Sequence, residues 1–184
     1  MSLANALLDQ LGDSGLASLG QAIGSNPDAT KAAATATLPL LFSALAKNAG
    51  TDDGAAALDR ALERDHDGSI LDNLAGGFSS SMEQDGNGIL KHVLGGRRET
   101  TERGLAQASG LDSKQSAQML ATLAPLVMGA LGKQKRSQGL DAGALAGMLQ
   151  GERGQNKSQL GGLAALIDQD GDGGVADDLL GGIG

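Results

Sequence analysis

The chain has 184 residues, with 30 Gly, 29 Ala and 30 Leu against 8 Val and Ile together, 2 Phe and no Trp, Tyr or Cys. This excludes a disulfide scaffold and speaks against a sheet-based core, because strands draw on β-branched and aromatic residues. A formal net charge of −8 opposes phosphate backbones and anionic surfaces, and no apolar run reaches the about 18 residues that span a bilayer.

The N-terminus, Met1-Ser2-Leu3-Ala4-Asn5-Ala6, has no basic stretch leading into an apolar one, so no secretory signal is read and the expected location is cytoplasmic. Leu3, Leu7, Leu8 and Leu11 form an apolar stripe suited to a core or to contact with another copy. Leu16, Leu19 and Ile23 continue at helical spacing. Asn26 followed by Pro27 reads as an N-cap with proline in the first helical position. The helix that follows carries Leu38, Leu41, Phe42 and Leu45 on one face, with Pro39 well inside it. An interior proline costs about 3 kcal/mol and frees the carbonyl four residues back, here that of Thr35.

Residues 63–74 read Glu-Arg-Asp-His-Asp-Gly-Ser-Ile-Leu-Asp-Asn-Leu. Glu63, Asp65 and Asp67 occupy the first three acidic positions of an EF-hand-like loop, Gly68 the sharp turn, Ile70 the apolar position and Asp72 a further oxygen. Gly76-Gly77 follows as punctuation, and residues 83–94 give a weaker version with Glu83, Asp85, Asn87 and Gly88. His66 reads as a solvated turn residue and His92 as a helix-face residue.

Past Gly95-Gly96-Arg97-Arg98 the pattern starts again. Asp112 stands three residues before Gln115, the spacing of a capping box, and opens a helix with Leu120, Leu123, Val127 and Leu131. That helix encloses Pro125, which frees the carbonyl of Ala121. A shift of 86 residues sets Gly24 on Gly110, Asn26 on Asp112, Pro39-Leu40 on Pro125-Leu126 and Lys47 on Lys133. The chain thus reads as all-α, a duplicated multi-helix unit with proline-kinked helices, divided at residues 1–98 and 99–184. The basic run 133–136 ends the second long helix, where cations suit the helix dipole. Residues 133–160 read as a flexible connector interrupted by a short helix over 140–149.

The last acidic loop, 168–179, is the fullest. Asp168, Asp170 and Asp172 stand at positions 1, 3 and 5, with Gly173 at the turn. Position 12 is Leu179, so the bidentate ligand is missing and Asp177 and Asp178 are the substitutes. Calcium is the implied cofactor, held weakly at about 10⁻⁴ to 10⁻³ M. The same Asp-Gly pairs also make tight turns and helix caps without metal.

Four segments carry a family resemblance: Leu38-Pro39-Leu40-Leu41 with Ala44-Leu45-Ala46, residues 65–74, residues 88–95, and residues 124–131. They resemble the DUF937 family of bacterial proteins, which includes the YidB-like proteins. The resemblance implies an all-α protein of uncharacterised function, with a homeodomain-like helical fold described for YidB-like relatives, and it supplies no catalytic residues. The expected function is that of a non-enzymatic structural or interaction protein that self-associates into an oligomer or filament. No nucleic-acid partner and no membrane span are expected. The alternatives are a metal-dependent hydrolase using the acidic cluster and a DNA-binding regulator.

Overall fold

A computed structural model describes residues 1–167, with side chains through Lys157. The described chain is all-helical: α1 (Leu3–Ile23), α2 (Pro27–Asn48), α3 (Asp52–Arg64), α4 (Ser69–Asp72), α5 (Ser80–Val93), α6 (Arg98–Ser109), α7 (Ser113–Gln138) and α8 (Ala142–Ile167). Short 3-10 turns at Leu74–Gly76 and Gly95–Arg97 flank α5.

Local chemistry fixes most of these boundaries. Asn26 Oδ1 accepts from Ala29 N at 2.9 Å ahead of Pro27, and Asp112 and Gln115 form the reciprocal capping box. Thr51 caps α3, Ser79 caps α5 and Asp141 accepts from Ala144 N at 2.8 Å to start α8. Gly24, Gly110 and Gly139 close α1, α6 and α7 in the left-handed region, where a Cβ is penalised. Both α2 and α7 run on through their prolines, so Pro39 and Pro125 are interior residues and not helix ends.

α7 is the centre of the molecule. Residues 119–129 are buried without interruption, and α7 packs on α5, α2, α6, α1, α4 and α3. α2 is buried without interruption over residues 37–42 and packs on α8, α1, α7 and α6. By length and composition α2 also meets the requirement for a membrane crossing, as a helix buried at the centre of a bundle does. One continuous apolar cluster joins both halves of the chain, from Ala4 and Leu7 to Leu145 and Leu149. Each fully buried Leu in it contributes about 1.5–3 kcal/mol.

With few bulky residues available, helices approach at glycines. A Cβ on Gly86 of α5 would overlap the carbonyl oxygen of Ala121, the acceptor that Pro125 leaves without its usual N–H. α5 therefore lies backbone to backbone on α7, an arrangement suited to Cα–H···O contact.

Two expectations are corrected here. Residues 133–160 are not a flexible connector: α7 extends to Gln138 and α8 takes up the rest. Residues 83–94 do not form a loop either, because Glu83, Asp85, Asn87 and Gly88 lie inside α5. Packing against α7 holds this glycine-bearing stretch helical despite its turn-like sequence.

Candidate functional site

The acidic loop after α3 sits on the C-terminal half of α7. Gly68 has φ 94°, and Asp67 Oδ1 accepts from Ser69 N at 2.9 Å, which turns the chain into α4. A Cβ on Gly132 would overlap the carbonyl oxygen of His66, and one on Gly68 would stand 2.9 Å from Lys133 Cβ. Loop and helix thus meet through glycines on both sides.

This contact brings the acidic loop against the basic run 133–136. Glu63 Oε1 accepts from Lys135 Nζ at 2.8 Å, and Asp59 lies 3.1 Å from the same nitrogen. Asp67 faces Arg136 at 3.8 Å, Asp72 faces Lys133 at 3.9 Å and Asp65 faces Arg64 at 3.3 Å. Each of Glu63, Asp65, Asp67 and Asp72 therefore faces a different cation. The hydrogen bond from Lys135 holds the Glu63 carboxyl below its ordinary range, and the Ser69 hydroxyl and amide do the same for Asp67. Lys135 is raised in turn, chiefly by its bonds to Glu63 and Asp59.

Among the described residues no three His, Asp or Glu side chains converge as a metal ion requires. Asp168, Asp170, Asp172, Asp177 and Asp178 lie outside the described residues. The charge match between loop and basic run was legible in the sequence only as two separate runs of opposite sign, about 70 residues apart.

Near this loop lies a groove of about 1090 Å³ between α3 and α5. Leu45, Leu58, Val93 and Met128 line it and are buried, with Ile89 half-buried beside them. One wall is α3, which presents Ala57 and Ala61, while Gly54 at its start is packed on the Asn48 carbonyl; the other is α5, where a Cβ on Gly88 would meet only open space. Around the rim stand Arg64, Asp65, His66, Asp85 and His92. Asn48 Nδ2 donates to the carbonyls of Val93 at 3.0 Å and His92 at 3.3 Å, which ties the end of α5 to α2.

Both histidines of the chain belong to this groove. His66 is half-buried, not solvated as its loop position suggests, and desolvation lowers its pKa against the opposing pull of Asp65 and Asp85. His92 is exposed on the last turn of α5. Sequence reasoning missed the groove because its walls lie some 30 residues apart. The one local signal was the small-residue spacing of Gly54, Ala57 and Ala61.

A family model described as "Bacterial protein of unknown function (DUF937)" matches residues 5–134. Every residue lining the α3–α5 groove falls inside that stretch, whereas α8 and residues 168–179 fall outside it. No curated protein and no solved structure matches the chain.

Proposed function

We propose that this chain, which belongs to the DUF937 family of bacterial proteins of unknown function, is a non-enzymatic interaction protein that receives a helical segment of a protein partner between α3 and α5. The observation that carries the reading is the groove itself, with its apolar floor and small-residue walls. An amphipathic helix lays its apolar face into such a channel, and Ala57, Ala61 and Gly88 let it approach closely at those points. From Gly54 to Arg64 the α3 wall runs about 15 Å, enough for roughly three turns of a guest helix. The rim offers Arg64 beside Asp65 and Asp85, so the partner helix carries charges of both signs next to its apolar stripe.

The acidic loop then serves as a latch. By binding Lys133, Lys135 and Arg136 it clamps the end of α3 to α7 and sets the width of the groove. On this reading its carboxylates are structural, and calcium binding belongs to Asp168, Asp170, Asp172, Asp177 and Asp178. Calorimetric titration at millimolar calcium checks this: Asp170→Ala with Asp172→Ala abolishes binding, whereas Asp65→Ala with Asp67→Ala leaves it unchanged.

We also read the chain as a duplicated unit, supported by caps, left-handed glycines and prolines that recur 86 residues apart. In that scheme the units are residues 1–98 and 99–184, and both walls of the groove, α3 and α5, belong to the first.

A photo-crosslinking amino acid placed at Ala57, Ala61 or Gly88 in bacterial cells tests the proposal. The expected result is one discrete protein adduct from all three sites and none from the exposed Lys31. Identical adduct patterns from groove and control sites would remove the groove as a binding surface.

A further inference from the structure

α1 is not one straight helix. Gly12 has φ 59° and ψ −173°, which breaks it into a short N-terminal piece and the helix over residues 13–23. That combination of angles is open to glycine and costly for other residues. A Cβ at this position would meet nothing within 4 Å, so it is the backbone angles and not packing that require glycine here.

Residues 2–11 form a strap beyond this joint. It is held by the buried Ala4, Leu7 and Leu11, with Leu3 and Leu8 packed beside them. At its tip Leu3 N donates to Glu152 Oε2 of α8 at 2.8 Å, so a carboxylate from the far end of the sequence caps the start of the strap.

We propose that the strap is exchangeable, and that its seat receives the same strap from a second copy of this chain. If Gly12 adopts helical angles, α1 becomes a continuous rod of about 30 Å and the strap points away from its own seat. The Leu stripe is then exposed, and an identical seat on another molecule offers every contact that was given up, the Glu152 cap included. Reciprocal exchange closes a twofold dimer; one-way exchange builds an open chain. This mode of self-association is independent of the α3–α5 groove and survives or fails separately from it.

The full chain has no Cys, which allows a direct test with Leu3→Cys and Glu152→Cys in one molecule. Gly12→Ala favours the straight helix, and the dimer-or-larger fraction measured by light scattering rises about tenfold over the Gly12 protein at equal concentration. Under oxidation the cysteine pair then closes between chains, giving covalent dimers on a denaturing gel. With Gly12 intact it closes within one chain. A Gly12→Ala protein that keeps its helicity and stays monomeric overturns the proposal, as do oligomers whose disulfides are all intrachain. Should Gly12→Ala not fold, the two-cysteine protein with Gly12 intact is unfolded and refolded at high concentration. Interchain disulfides then support exchange, and monomers alone overturn it.

Discussion

α2 and α7 begin alike and end up in different surroundings. Each opens on a side-chain cap, and each carries its proline 13 residues after that cap, at Pro39 and Pro125. In α2 the carbonyl released by proline belongs to Thr35, an exposed residue that water can serve. In α7 it belongs to Ala121, which is 1% exposed, and the space over its oxygen is taken by Gly86 of α5. The same covalent device thus sits harmlessly at the surface in one helix and dictates a neighbour's sequence in the other. A buried acceptor that has lost its donor must be met by something, and here only a residue without a side chain fits.

The largest expected effect breaks this comparison at its tightest point. Gly86→Ala pushes α5 off α7 and costs about 3 kcal/mol or more in urea unfolding. Thr35→Ala, the nearest test on α2, stays within about 0.5 kcal/mol. Equal effects at the two sites would show that Gly86 is not answering the freed carbonyl. The prolines themselves sharpen the contrast. Pro125→Ala restores an N–H that draws the Ala121 oxygen away from α5, at a cost of about 1–2 kcal/mol, whereas Pro39→Ala remains within about 1 kcal/mol of zero.

Two charge-based predictions extend the comparison to the flanks of these helices. Beside α2, Glu152 on α8 is buried, and desolvation raises its pKa above the ordinary 4.5. Its folded form binds a proton more tightly than its unfolded form. Its contribution is therefore fully present below the unfolded pKa and is lost as pH rises through the folded one. Glu152→Gln should flatten that part of the pH profile while keeping an acceptor for Leu3 N; an unchanged profile assigns the pH dependence elsewhere.

Beside α7, the latch has the opposite sign. Glu63 and Asp67 are lowered from 4.5 and 3.8, so their stabilisation is present above those values and is lost as pH falls through the folded ones. Lys135→Met removes the centre of the latch and gives the smallest loss. That loss shrinks at 1 M salt, where the screening length is about 3 Å, and the part due to the less exposed Asp59 pair shrinks least. A salt-independent loss would mean that the lysine stem packs rather than pairs.

The two halves of this comparison were unequally legible. Local signals placed the helix starts: Asn26-Pro27, the Asp112–Gln115 box and the terminal Gly24 and Gly110 all act within a few residues of themselves. The prolines were legible as interior because the apolar period passes through them. What could not be read was what meets what. Gly86 and Gly88 sit in a stretch whose local chemistry favours a turn, and packing on α7, which Gly86 permits at the Ala121 carbonyl, holds it helical. The α3–α5 groove and the ion pairs between residues 63–72 and 133–136 come from chain segments with no local link. The glycines over 133–160 read as linker because the partner that holds α8 helical, α2, lies some 100 residues earlier.

The Ala121 carbonyl also makes the molecule its own spectrometer. A peptide C=O without an amide donor absorbs at higher infrared frequency than its hydrogen-bonded helical neighbours, and a single ¹³C=¹⁸O label moves it clear of the rest of the band. Labelled there, the protein would report the seating of α5 on α7 from inside the core without a single added atom. A twin label at Thr35 would supply the hydrated reference in the same spectrum.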